Sequence, residues 1–113
     1  MGDEIKNNEY YLKKFGWKKI YKKDDFNYDY PVWINPVGKE FLKEPDFIGS
    51  VDVIIEECRC RKLHATIFED TFEQMAERGE ERWKSRVDNQ NIYFEGPSPA
   101  LALCIALDNY LGN

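Results

Sequence analysis

The sequence predicts an α+β fold in which about three helices pack on an antiparallel sheet of four to six strands. Segments with helical periodicity alternate with short segments rich in aromatic and branched residues, and turn-forming breaks between the latter predict hairpins. The closing stretch, residues 96–111, contains an eight-residue run without charge, which is typical of a buried helix. With 113 residues, 42% of them apolar, we expect one domain spanning 1–113 with a single modest core.

Two amphipathic helices are expected in the first two thirds of the chain. A helix over 3–15 places Ile5, Leu12 and Phe15 on one face, with Tyr11 beside them, and Gly16 ends it. A helix over 50–62 begins at Ser50 as a capping residue. Its apolar stripe repeats at i, i+3, i+4 and i+7, and consists of Val51, Ile54, Ile55 and Cys58. The opposite side carries the charged residues Asp52, Glu56, Glu57, Arg59 and Arg61.

The last helix is expected to be the core helix, laid across the sheet. Ser98 suits its N-cap, Pro99 its first position, and Gly112 a left-handed end. The apolar run is much shorter than the roughly 20 residues that a bilayer requires. A short helical turn is also predicted over 70–78, with Asp70 as its cap and Gly79 as its stop.

Five segments have the composition of strands: 17–22, 28–34, 63–68, 82–87 and 91–95. Pro31 has no N–H to donate, so the strand over 28–34 is expected at an edge. Asn35 to Gly38 is typical of a turn, and 39–48 is expected to be a connection. Within 82–87, alternation places Trp83, Ser85 and Val87 on one face.

Net charge and the absence of known motifs argue against several classes of function. A net charge of −5 argues against a binder of duplex nucleic acid, which needs a positive surface. There is no phosphate-binding glycine loop, zinc-protease motif or nucleophile elbow. His64, the single histidine, is expected on a sheet face rather than in a catalytic or zinc site. We therefore expect no enzyme, no metal site and no cofactor.

The three cysteines are expected to be reduced thiols of a cytoplasmic protein. Cys58 lies on an apolar stripe and is expected to act as a small hydrophobe. The first residues lack the charged-then-apolar order of a signal peptide, and we expect no membrane attachment.

Three blocks of the chain resemble the phage ABA-sandwich domain, found in small proteins of phages and prophages. They are LKKFGW over 12–17 with VWINP over 32–36, PDFIGSVD over 45–52, and GPSPALALCIAL over 96–107. The resemblance implies an α/β/α-like sandwich, an antiparallel sheet with helices against it, and little assigned chemistry. Small phage proteins of this size include anti-defence sponges that sequester nucleotide signals, which makes that class our expectation.

Five residues are candidates for binding a phosphorylated ligand. Arg82, Lys84 and Arg86 share one face of a strand at a spacing that suits an anion. Trp33 and Tyr93, with Tyr28 and Tyr30 as further candidates, could stack on a base. Both groups also have a purely structural explanation, because basic residues are usual on an outward strand face and Trp33 suits the core.

The function expected from these observations is a non-enzymatic phage protein that binds a nucleotide or a phosphorylated signal. The alternative is an acidic module that inhibits a host protein through carboxylates between Glu69 and Glu81. Seven Phe, seven Tyr and three Trp exceed what a small interior hides, so we also expect a homo-oligomer, most simply a twofold dimer.

Overall fold

The computed structural model describes residues 6–69 and 83–112, which form three helices and six strands in two antiparallel sheets. The α+β class is therefore confirmed, and the strands divide between two sheets of order β1-β2-β3 and β4-β5-β6. In chain order the elements are α1 (Asn8–Lys14), β1 (Lys18–Lys23), β2 (Asp29–Ile34), β3 (Glu40–Phe41), α2 (Val51–Cys60), β4 (Ala65–Glu69), β5 (Trp83–Val87), β6 (Phe94–Gly96) and α3 (Pro99–Leu111).

Helix α3 forms the centre of the core, as the sequence predicts. Its residues 102–107 are all buried, because both α2 and the second sheet pack against it. The Ser98 hydroxyl accepts a hydrogen bond from the Leu101 N–H at 3.2 Å, and Pro99 occupies the first helical position. The helix ends at Gly112, whose φ of +79° lies in the region that favours glycine.

Helix α1 is shorter than predicted at its beginning. It begins at Asn8, because the Asn7 side chain accepts a hydrogen bond from the Tyr10 N–H at 2.9 Å and caps the first turn. Residues 6 and 7 are therefore not helical, and 3–5 lie outside the described residues. The predicted buried face is confirmed at Tyr11, Leu12 and Phe15.

Helix α2 places the predicted stripe against the core, with Ile54 and Cys58 almost fully buried. Two details differ from expectation. Ser50 is the N-cap residue but its side chain makes no capping hydrogen bond. Glu57, assigned to the charged side, is only 5% exposed, because Trp17 and Arg61 cover it and bond to it.

The first sheet is a β1–β2 hairpin extended by the two-residue strand β3, which lies in the segment predicted as a connection. The turn that Asn35 begins is confirmed: its side chain accepts hydrogen bonds from Val37 and Lys39 N–H. Strand β2 lies between β1 and β3, so the prediction that the strand over 28–34 is an edge strand is wrong for the strand as a whole. However, β3 pairs only with Trp33 and Ile34, so it does not extend as far as Pro31, where a missing N–H is tolerated.

The second sheet confirms the predicted alternation of β5. Ser85 and Val87 are fully buried against α3, and the Ser85 hydroxyl donates to the Ala102 carbonyl oxygen at 2.6 Å. Strand β6 begins later than predicted and includes Gly96, which packs directly on the α3 backbone. The predicted helical turn over 70–78 lies outside the described residues.

Candidate functional site

The predicted ligand residues divide between the two sheets. Lys84 and Arg86 lie on the face of the second sheet opposite to Ser85 and Val87, as expected from their alternation. Trp33 lies in the first sheet, where the Lys19 ammonium is 5.4 Å from its ring centroid. Arg82 lies outside the described residues. The structure therefore gives two separate candidate surfaces in place of one.

The first surface is the outer face of the second sheet, formed by Thr66, Phe68, Lys84, Arg86, Tyr93 and Glu95. The Arg86 guanidinium carbon lies 5.0 Å from the Tyr93 ring centroid, and Tyr93 meets Phe68 edge-to-face at the same centroid distance. Arg86 Nε is buried and has no hydrogen-bond partner among the described residues. The Lys84 ammonium lies 3.7 Å from a Glu95 carboxylate oxygen, which reduces the net positive charge of this face.

The second surface is a cavity of about 390 Å³, which we call the tryptophan cavity. It lies between α1 and the first sheet and is lined by Glu9, Leu12, Lys13, Trp17, Lys18, Lys19, Trp33 and Glu44. Its volume falls within the range of small-molecule sites. Two indole rings and three lysines therefore surround one concave space.

The indoles of the tryptophan cavity differ in their hydrogen bonding. Trp17 Nε1 donates to the Glu57 carboxylate at 3.1 Å, which fixes that ring. Trp33 Nε1 is buried and has no acceptor among the described residues. A buried donor without an acceptor costs stability, and its burial means that a ligand in the cavity does not reach it without a rearrangement. Sequence reasoning singled out Trp33 but missed Trp17 and the lysines, because α1 and β1 meet only in the folded chain.

A further cavity of about 540 Å³ lies where α2 passes into β4. Its apolar lining comes from Ile55, Cys58, Leu63, Ala65 and Ile67, and its polar lining from Arg59, Lys62 and His64. Lys62 adopts a φ of +61°, and its N–H donates to the Arg59 carbonyl as the helix ends. The three basic residues fall within six positions of sequence, so this group could have been found by counting charges along 59–64.

The third cavity, of about 490 Å³, lies between α2 and β3, and we call it the α2–β3 cavity. Behind it, the Glu57 carboxylate accepts hydrogen bonds from Trp17 Nε1 and from Arg61 Nε, each at 3.1 Å. Burial raises the pKa of Glu57, and the two donors oppose that rise. Because both carboxylate oxygens are bonded, Glu57 orients Trp17 rather than facing a ligand as a free charge.

The three thiols are unpaired, and two of them are buried. All three cysteines are free, and burial raises the pKa of Cys58 to about 12. Burial likewise raises the pKa of Cys104, whose thiol donates to the Phe47 carbonyl oxygen at 3.2 Å. Residues 6–69 and 83–112 contain no group of three or more His, Cys, Asp or Glu side chains able to hold a metal ion.

Comparisons with known proteins return no match: no family model, no curated protein and no solved structure is similar to this chain. The resemblance to the phage ABA-sandwich domain therefore stays a prediction. No helix within the described part of the chain is long and apolar enough to cross a membrane. The acidic alternative also stays a prediction, since Glu69 is the only member of its cluster that the structure describes.

Proposed function

We propose that the protein binds a nucleotide or another phosphorylated signal in the tryptophan cavity and withholds it from other receptors. The observation that carries the proposal is the meeting of Trp17 and Trp33 with three exposed lysines around 390 Å³. Indole faces are suited to stack on a nucleobase. Ammonium groups bind phosphate as point charges.

The charge of the cavity supports an anionic ligand only modestly. Glu9 and Glu44 also line it, and the Glu9 carboxylate lies 3.8 Å from the Lys13 ammonium. Both side chains of that pair are largely exposed, so their interaction is weak and Lys13 can turn to a phosphate. Lys18 carries no ion pair within the described residues, which leaves its charge available.

The resemblance to the phage ABA-sandwich domain supports a phage or prophage origin and an anti-defence role in the host cytoplasm. Sequestration requires tight binding and no turnover, so we propose a protein without enzymatic activity. A nucleotide incubated with the protein should be recovered chemically intact by chromatography after protein denaturation. Recovery of hydrolysed or cyclised product would overturn that part of the proposal.

Tryptophan fluorescence tests ligand binding directly, because two of the three indoles line the proposed site. The panel is AMP, cyclic dinucleotides, cyclic ADP-ribose isomers and inorganic pyrophosphate. We expect saturable quenching by at least one nucleotide, and weaker binding of pyrophosphate because it lacks a stacking face. If every compound leaves both fluorescence and melting temperature unchanged, the proposal fails.

Variants locate the site. Trp33→Leu should weaken binding about tenfold by removing one stacking surface, whereas Trp33→Phe should retain much of it. Lys18→Gln with Lys19→Gln should weaken it further, and Lys22→Gln with Lys23→Gln is the matched control, which removes the same charge from the same strand outside the cavity. A loss caused by Arg86→Gln with Tyr93→Leu would move the site to the outer face of the second sheet.

We also propose a homo-oligomer. The β1–β2 hairpin exposes three aromatic side chains, Tyr21 at 63%, Phe26 at 81% and Tyr28 at 71%. Aromatic residues exposed on one hairpin can form an apolar surface, and large apolar surfaces mark interfaces. Four lysines along β1 disfavour strand-to-strand pairing of two copies at that edge, so contact through the aromatic side chains is the arrangement we expect. A mass near 13.4 kDa throughout a micromolar sedimentation series would exclude it.

A further inference from the structure

We propose that the α2–β3 cavity binds an extended basic segment of a protein partner, with one arginine or lysine side chain inserted into the cavity. Its ligand differs in chemistry from that of the nucleotide site proposed above, and the two cavities adjoin, since Trp17 and Glu44 line both. It stands on the shape and lining of a cavity of about 490 Å³, on the charges around it and on an unpaired strand edge beside it.

The wall of the cavity is aromatic and aliphatic. The Trp17 and Phe41 rings have centroids 5.3 Å apart, and Pro45 and Val53 complete the apolar lining. Such a wall suits the methylene stem of a long side chain, since Lys and Arg bury their stems and keep the charge near water. Ring faces also attract cations, and Lys39 of the chain itself already lies 5.2 Å from the Phe41 ring centroid.

The charged groups around the cavity are mainly acidic. Its carboxylates other than Glu57 are Glu44, Asp46, Asp52 and Glu56, against a single ammonium, that of Lys43. Glu56 pairs with Arg59 at 2.8 Å, and Asp46 accepts a hydrogen bond from the Gly49 N–H. Glu44 and Asp52 make no ion pair within the described residues, so their charges are available to a cation from outside.

The neighbouring backbone favours a peptide over a free amine. Strand β3 pairs with β2 through Trp33↔Phe41 and Ile34↔Glu40, and it is the last strand of its sheet among the described residues. No backbone hydrogen bond from another part of the described chain reaches its far edge, which lies beside the cavity. An extended peptide can use that edge while placing alternate side chains toward Phe41. A polyamine has no group that pairs with a strand.

The test is a titration of ¹⁵N-labelled protein with the blocked pentapeptide Gly-Val-Arg-Val-Gly, followed by NMR. We expect saturable shifts of the amides of Phe41, Val53 and Glu56, with affinity falling as salt rises. The same peptide with citrulline in place of arginine keeps the shape and removes the charge. Equal binding of the citrulline peptide, equal affinity of spermine, or shifts confined to another surface would each overturn the proposal.

Matched charge variants separate the local site from net charge. Glu44→Gln with Asp52→Asn should weaken binding about threefold to tenfold, the effect of losing two exposed ion pairs. Asp25→Asn with Glu69→Gln removes the same charge at exposed positions outside the cavity and should change the affinity less than twofold. Equal losses in both pairs would reduce the effect to non-specific attraction and overturn the proposal. Val53→Phe should fill the cavity and abolish peptide binding. If the Val53→Phe protein does not fold, the two pairs of charge variants test the proposal without it.

Discussion

Gly96→Ala should destabilise the protein more than Gly49→Ala, the other substitution at a described glycine with ordinary backbone geometry. A Cβ at Gly96 would lie 2.6 Å from the Ala102 nitrogen and 2.9 Å from its Cα. Ordinary contact begins at 3.4 Å, so strand β6 and helix α3 must separate by about 0.8 Å. Neither can move easily, because the atoms in contact are backbone and α3 is buried from 102 to 107.

The magnitude follows from two opposing effects. Overpacking of a tight core costs about 1–3 kcal/mol, and contact with fixed backbone puts this site at the upper end of that range. Alanine restricts the unfolded chain more than glycine does and returns about 0.5 kcal/mol. We therefore expect a loss of about 2.5 kcal/mol in the free energy of unfolding, or about 10 °C in melting temperature.

Urea unfolding followed by both tryptophan fluorescence and far-ultraviolet circular dichroism measures this loss. Gly49→Ala is the control, because its added Cβ would meet the Asp46 carboxylate, a side chain that can rotate away. We expect that control to lose about 1 kcal/mol, mainly through the weakened hydrogen bond to the Gly49 N–H. A Gly96→Ala protein that unfolds within about 0.5 kcal/mol of the parent, or equal losses in both variants, would show that β6 and α3 can separate at little cost.

Three further predictions concern buried polar groups and thiols. Burial raises the native pKa of Glu57 above its ordinary value of 4.5, so protonation of Glu57 stabilises the folded parent at acid pH. The parent loses this stabilisation as pH rises from 4.5 through the native pKa, and Glu57→Gln should therefore gain stability relative to the parent over that range. A difference in the free energy of unfolding that stays constant at all pH values would contradict this. Ser85→Ala should lose about 1 kcal/mol in urea unfolding, since its hydroxyl donates to a carbonyl of α3, and an unchanged midpoint would contradict it. A maleimide should modify Cys60 first in the native protein, with Cys58 and Cys104 reacting only on unfolding, and fast labelling of all three thiols would show that the core is open.

The sequence determined the elements whose signal is local. The uncharged run after Ser98 predicted a buried helix, which is confirmed, and its cap, first proline and terminal glycine marked both ends. Alternation along 83–87 likewise fixed which side of β5 faces the core, because successive side chains of a strand point to opposite faces. The hairpin of β1 and β2 followed from two aromatic segments separated by a polar turn.

Which surfaces of these elements meet depends on the folding of the whole chain. Trp17 and Glu57 are 40 residues apart, and nothing local indicates that an indole N–H would satisfy a carboxylate on the polar side of α2. The separation of Trp33 from Arg86 and Tyr93 depends on the strands dividing into two sheets, which residue periodicity cannot specify. Alternation and helical spacing report which side of an element is apolar, whereas cavities form where different elements meet, and that meeting is set by packing across the whole chain.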